Sequence, residues 1–439
     1  MSKTSKRRTG PQLTRRQFVQ STGLAAAGAA GAGLGLFGGT APAFAQSREM
    51  HVLEWSSFVK EADVEVNRQA EEFGKAEGIK VKVEHINNND LNARTTAAVE
   101  SGTGPDVVQL FNNQPLLYAP GLLGVNDLVE ETGGKRIYPF FRESVDNNGT
   151  YVGLPYFATG AAWVYNKDMF RQAGAKPPQT WAEYLDSGTK LKKLGFPVGQ
   201  ALGHSFGDPP GFCYSLLWSF GGKLIDERSK VALDSKETRA AIAFVKEFWK
   251  AACDESGLGW DDSANNRAFP AETISVTRNG ASIYFVAKRN FVQKQDPFVK
   301  KLDHFLDPAG PAGRRHSMTS YARCVFKASK VQSAAKNYLR FCLKRENLDK
   351  LMRVNDGYIN GPTPEWEEHS LWKEDPALSS FAHAPATSVT YGWPGPNDRK
   401  ASEAVAKYIL VDMFARAVQG ESADGVTRWA SSELKQIYG

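Results

Sequence analysis

The sequence is poor in cysteine and histidine, carries no net charge beyond its first 45 residues, and holds no later apolar run long enough to span a bilayer. Four cysteines in 439 residues, Cys213, Cys253, Cys324 and Cys342, are too few and too scattered for a disulfide scaffold or a zinc site. Buried free thiols are expected, with a disulfide left open. Seven histidines show no paired ligand spacing, so neither a metal nor a cofactor is expected. Of 54 Lys and Arg, six lie in the first 45 residues, which leaves 48 against 48 Asp and Glu. A balanced surface offers no field for nucleic acid or an anionic membrane, and neither partner is expected.

Those first 45 residues form a separate unit. Lys3, Lys6, Arg7, Arg8, Arg15 and Arg16, with no acidic residue, precede an Ala/Gly-rich apolar stretch and Ala43-Phe44-Ala45. That order is the anatomy of a cleavable export signal covering residues 1–45. Thr14-Arg15-Arg16-Gln17-Phe18-Val19-Gln20 resembles the signal read by the twin-arginine pathway. No cysteine lies near the predicted cut, so no lipid anchor is expected, and the product should begin near Gln46 in the periplasm.

The remainder exceeds what one hydrophobic core usually serves, which predicts two domains. Met50 to Trp55 predicts a strand, and Ala62, Val66, Ala70 and Phe73 mark one face of a following helix. Gly78 stops that helix, and Ile79, Val81 and Val83 alternate with lysines into a second strand, completing a β-α-β unit. A helix over Leu91 to Val99 and a Gly102 to Asp106 turn lead into Val107 to Phe111. Apolar stripes predict later helices over Ala240 to Ala252, Gln332 to Leu343 and Glu403 to Val418.

From Gly149 to Pro155 a glycine turn leads into a strand, followed by Trp163-Val164-Tyr165-Asn166-Lys167-Asp168-Met169-Phe170, Gly174, and Pro177-Pro178-Gln179-Thr180-Trp181-Ala182-Glu183. This block resembles the signature of bacterial extracellular solute-binding protein family 1, the maltose-binding-like group. Gly104-Pro105-Asp106-Val107-Val108 and Gly221-Gly222 fall in the family's order and approximate spacing. The resemblance implies an α/β type II periplasmic-binding-protein fold, two lobes with mainly parallel sheets that close like a hinge on a solute. By that analogy the first lobe takes residues 46–157 plus 309–357, and the second 158–308 plus 358–439. Asn166 or Asp168, and Thr180 with Glu183, are expected to cap helices and not to touch the solute.

Sugars present flat C–H faces and rims of hydroxyls, so their pockets need aromatic platforms and planar amides or carboxylates. After the first strand stand Trp55 and Phe58, and after the Val107 strand Asn112 and Gln114, at strand ends that α/β folds use for ligands. The family pattern adds Phe212 and Tyr214 before the double glycine, the Asn279 to Tyr284 segment, and Tyr391 and Trp393 in a Pro-stiffened loop. Trp260, Asp262 and Asn266 belong to a dense polar cluster ahead of a helical stretch. Thr159 stands near the position of an acidic contact in maltose binders, and Ser282 and Tyr284 lie where that group has aromatics. These departures point away from maltodextrin.

Enzymes compete less well. Gly203-His204-Ser205-Phe206-Gly207 matches the G-x-S-x-G elbow of serine hydrolases, but the strand before it is weak and Asp208-Pro209-Pro210-Gly211 is poor helix material. Asp261 and Asp262 could serve a glycosidase only if adjacent residues faced one substrate. Gly33 to Gly38 spells G-x-G-x-x-G inside the signal, with no strand before it. The expectation is therefore a monomeric, non-catalytic receptor that hands a sugar, oligosaccharide or polyol to an ABC permease. Phosphorylated polyols, polyamines or a metal are the alternative solutes, and a serine or glycoside hydrolase is the alternative class.

Overall fold

The computed structural model describes residues 49–160 and 162–439. The predicted export signal lies outside the described residues. Ten strands build two sheets: β1 (Glu49–Trp55), β2 (Lys80–Ile86), β3 (Val107–Phe111) and β4 (Leu154–Thr159) enter the first, β5 (Ala162–Asn166), β6 (Val198–Gly199), β7 (Val276–Asn279) and β8 (Leu302–Leu306) form the second, and β9 (Thr319–Val325) and β10 (Ile359–Asn360) return to the first. The first sheet has the order β10-β4-β9-β3-β1-β2 and the second β8-β5-β7-β6.

The β-α-β unit forms as its sequence pattern requires. Helix Lys60–Glu77 buries Ala62, Val66, Ala70 and Phe73 and ends at Gly78, whose φ of 63° is left-handed. β1 then pairs in parallel with β2 from Glu49↔Lys80 to Trp55↔Ile86, and with β3 at Val52↔Val107.

The sheets are mixed, which corrects the mainly parallel expectation. β9 runs antiparallel to β3 and β4, β10 antiparallel to β4, and β5 antiparallel to both β7 and β8. The cause is the chain path. β1, β3 and β4 run toward the second sheet, and β9 re-enters the first sheet from that side, so it has to run the other way. Ile359 and Asn360, just past the expected 357/358 boundary, pair with Thr159 and Ala158 of the first sheet. Trp366, Leu371, Trp372, Leu378 and Phe381 pack into the same apolar cluster as that sheet. The helix predicted over Glu403 to Val418 is two helices, Arg399–Ala406 and Ile409–Val418, separated where Tyr408 adopts a left-handed φ of 54°.

Alternation along β5 divides the cores. Ala162 and Val164 join the cluster that runs beneath the first sheet, while Trp163 and Tyr165 point into a second cluster with Trp181, Phe212, Trp218 and Ile242. All four cysteines are buried free thiols.

A buried ion pair ties the middle of the first sheet. Arg323 on β9 donates from Nε to Glu54 Oε1 on β1 at 2.7 Å, and its guanidinium lies 4.0 Å over the Tyr156 ring. Both side chains are at most 3% exposed, so neither charge has solvent to fall back on. Replacing one partner, Glu54→Leu, is expected to cost about 3–5 kcal/mol in urea unfolding. The joint Glu54→Leu, Arg323→Met variant should recover most of that loss; a single variant as stable as the parent would contradict the pairing.

Candidate functional site

The strand ends of the two sheets face each other across a cavity of about 50 Å³. The first sheet contributes Trp55 at the end of β1, Phe111 at the end of β3, Thr159 at the end of β4, Thr319 and Tyr321 at the start of β9, and Tyr358 just before β10. Opposite them stand Phe206, Gly207 and Asp208, Asp262, and Arg278 to Gly280 where β7 ends. The space suits a few waters at about 10–15 Å³ each, so a sugar needs more room than it offers. Trp55, Phe58, Asn88 and Asp262 also line an outer cleft of about 400 Å³ that includes Lys60, His85 and Asp261.

One wall is aromatic. The Trp55 indole meets Phe58 edge-on at 5.4 Å, Tyr321 at 5.4 Å and Phe111 at 6.0 Å, so neighbouring rings hold it from several sides.

The other wall is polar and built around Asp262. Its Oδ1 accepts from Ser205 Oγ at 2.6 Å and from Asp208 N at 2.8 Å, and its Oδ2 accepts from Gly207 N at 2.9 Å. Two of those donors are amides at the start of helix Asp208–Ser219, so Asp262 caps that helix from a distant part of the chain. A Cβ on Gly207 would come within 3.0 Å of the Asp262 carboxylate. Pro209 and Pro210 occupy the first helical positions, where a missing N–H costs nothing. The helix therefore forms, against the expectation that this segment is poor helix material.

Arg278 is fixed by Asp307, with Nε to Oδ1 at 3.0 Å and Nη2 to Oδ2 at 3.1 Å, and Nη2 also donates to the Ser317 carbonyl. Its Nη1 fills the space left by Gly211, where a Cβ would lie only 2.3 Å away. Burial pushes the Asp208 carboxyl well above the usual carboxylate range; repulsion from Asp262 adds to this, while Arg278 and a 2.5 Å bond from Asn265 Nδ2 oppose it. Burial likewise raises Asp262, partly offset by its three donors.

Of the residues singled out in the sequence, Trp55, Phe58, Thr159 and Asp262 line the cavity. The others stand behind it. Asn112 adopts a left-handed φ of 45° and accepts from Ser320 N, and Gln114 accepts from Phe111 N, so both support strand ends. Phe212 and Tyr214 point into the second core, because the family pattern locates their helix but not its rotation. Trp260 packs against Gly199 and accepts through its carbonyl from Gly203 N. Asn266 and Ser282 join Asn279 in a side-chain network whose last member reaches the cavity. Tyr284 donates to Asp375, Tyr391 packs on Tyr214, and Trp393 lies under the Arg315 guanidinium at 4.3 Å.

Sequence reasoning missed Phe206, Asp208, Arg278, Tyr321 and Tyr358. Asp208 had a signal, an acidic residue before two prolines opening a helix; the others depend on which strand ends meet. The G-x-S-x-G segment offers no triad, since Ser205 donates to Asp262 and His204 pairs instead with Asp412.

Two α/β halves meeting at strand ends around such a cavity define a type II periplasmic-binding-protein fold. The model of the bacterial extracellular solute-binding proteins matches residues 68–380, and the chain belongs to that family. The diacetylchitobiose binding protein DasA of Streptomyces coelicolor is 30% identical over 339 residues, 73% of this chain and 75% of that protein. A solute-binding protein of Thermotoga lettingae, solved with α-D-tagatose, superposes with a TM-score of 0.78 at 19% identity over 90% of this chain and 100% of that one. Maltose-bound MalE3 of T. maritima gives 0.75 at 19% identity, covering 89% and 100%. The chain is thus an extracellular solute-binding component of ABC import, and not an enzyme.

The raised Asp208 carboxyl has a consequence for stability. The folded protein holds that proton more tightly than the unfolded chain, so the group's favourable contribution is complete below about pH 4 and is lost as pH rises through the raised value. Asp208→Asn, neutral at every pH, is expected to raise the melting temperature at pH 7 and to change it little near pH 4. A variant that melts lower at pH 7 would contradict the burial argument.

Proposed function

We propose that the chain captures a carbohydrate, whether sugar, oligosaccharide or polyol, in the cavity between its two halves and delivers it to a permease. The observation that carries this reading is the pairing of an aromatic wall of Trp55, Phe58 and Tyr321 with a polar wall of Asp208, Asp262, Arg278 and Asn279. Apolar sugar faces suit the first and hydroxyls the second. The relatives support it: DasA is a diacetylchitobiose binder, and the two solved proteins hold tagatose and maltose.

In this reading the exported form is a monomer lacking residues 1–45, sent to the periplasm by the twin-arginine route without a lipid anchor. The lobe cores are the two sheets, with the solute contacts at Trp55, Phe58, Thr159 and Asp262. Closure over the solute would present both halves to the permease, which then distinguishes loaded from empty receptor.

A thermal-shift panel of sugars, polyols, phosphate esters and amines is expected to raise the midpoint with at least one carbohydrate. Trp55→Ala should abolish that shift. A response to phosphate esters alone would contradict the proposal. With Lys at both positions, Arg15→Lys and Arg16→Lys, the precursor is expected to stay unexported; normal export would rule out the twin-arginine route.

A further inference from the structure

We infer that a surface patch joining the two halves beside the outer cleft is where the importer's permease docks, through an apolar loop flanked by carboxylates. This rests on the import role and not on the identity of the solute. Among the described residues four large apolar side chains are exposed: Val64 at 67%, Leu194 at 51%, Val286 at 40% and Val292 at 72%. Single exposed valines are ordinary on a protein surface. Three of these four, however, surround one ion pair.

That pair is Arg289 Nη2 with Glu61 Oε1 at 3.7 Å. Glu61 lies in the first turn of helix Lys60–Glu77, which packs on β2 of the first sheet, and its neighbour Lys60 lines the outer cleft. Arg289 lies on helix Ser282–Lys294, which follows β7 of the second sheet. Residues three apart on a helix share a face, with Cβ atoms about 5–6 Å apart. Val64 therefore stands beside Glu61, and Val286 and Val292 flank Arg289, so the pair brings the three valines onto one surface. The patch is complete only while the two halves are this close. A partner that binds it binds the closed form in preference to the open one.

Charge sets the chemistry of that partner. Helix Ser282–Lys294 carries Lys288, Arg289 and Lys294 and no acidic residue. Lys288 is paired with Asp356 and Asp375. Lys294 and Lys300 are exposed and form no ion pair among the described residues, and Lys300 lies 4.9 Å over the ring of Phe291, next to Val292. Carboxylates on the incoming loop pair with these two lysines at the rim, while its apolar side chains cover the valines. A second copy of this chain would bring the same basic helix against itself, which like-charge repulsion disfavours.

The test uses Val64→Cys, Val286→Cys, Val292→Cys and, as the control, Leu194→Cys forms of the exported protein, labelled with benzophenone maleimide and irradiated on spheroplasts of the bacterium that makes it. The four native thiols are buried, so the label goes to the introduced one. The three patch positions are expected to crosslink to a polytopic membrane protein, and Leu194→Cys is not. Unlabelled Val292→Asp should compete for that crosslink about tenfold or more less well than the unlabelled parent, the scale of one central interface residue, while its melting temperature still responds to the sugar panel as the parent's does. An adduct of two copies, an adduct with a soluble protein, equal crosslinking from Leu194→Cys, or no adduct at all overturns the inference. A protein that crosslinks through the patch but responds to no carbohydrate contradicts the carbohydrate reading and leaves the docking surface standing.

Discussion

Two residues separate the end of β4 at Thr159 from the start of β5 at Ala162, and that short crossing is the constraint on which the site depends. It forces the two sheets to meet end to end, so the strand termini of one face those of the other. Gly160 permits the approach, since a Cβ there would lie 2.3 Å from the Phe381 ring. The returns through β9 and β10 enter the first sheet from the same side, and Thr319, Tyr321 and Tyr358 at those entries become cavity wall. A crevice at strand ends is where open α/β sheets bind ligands; here both walls are such ends.

The polar wall shows function placed ahead of stability. Asp262 is a part-buried carboxyl held by three donors that also set the loop from Ser205 to Asp208. Asp208 receives much less, although it sits beside Asp262 and is part-buried. A residue that the fold leaves partly unsatisfied at a cavity is one whose remaining partner is expected from outside. The Arg323–Glu54 pair lies inside the first sheet, with both side chains at most 3% exposed.

Much of the architecture was legible in local patterns. The 3- and 4-residue spacing of Ala62, Val66, Ala70 and Phe73 and the alternation of Ile79, Val81 and Val83 suffice for the first β-α-β unit. Parallel or antiparallel pairing was not legible, because it depends on which side of the sheet the chain re-enters after a long excursion. The site divides the same way. Trp55 and Phe58 follow a recognisable strand directly, so their place could be inferred. Tyr321, Tyr358 and Arg278 reach the cavity only because distant strands end together, and no local pattern carries that information. Phe212 and Tyr214 show the limit of a family pattern: the segment was right, yet helix rotation turns those rings into the core and leaves Asp208, at the same helix's start, to face the cavity.

The most direct measurement is a crystal structure of the exported protein grown with the carbohydrate that most raises its melting temperature. The account predicts density for the solute between the Trp55 indole and the Asp208 carboxylate, with the two sheets closed around it. Density on an outer face, with the space between Trp55 and Asp208 filled by the protein's own side chains, would contradict it.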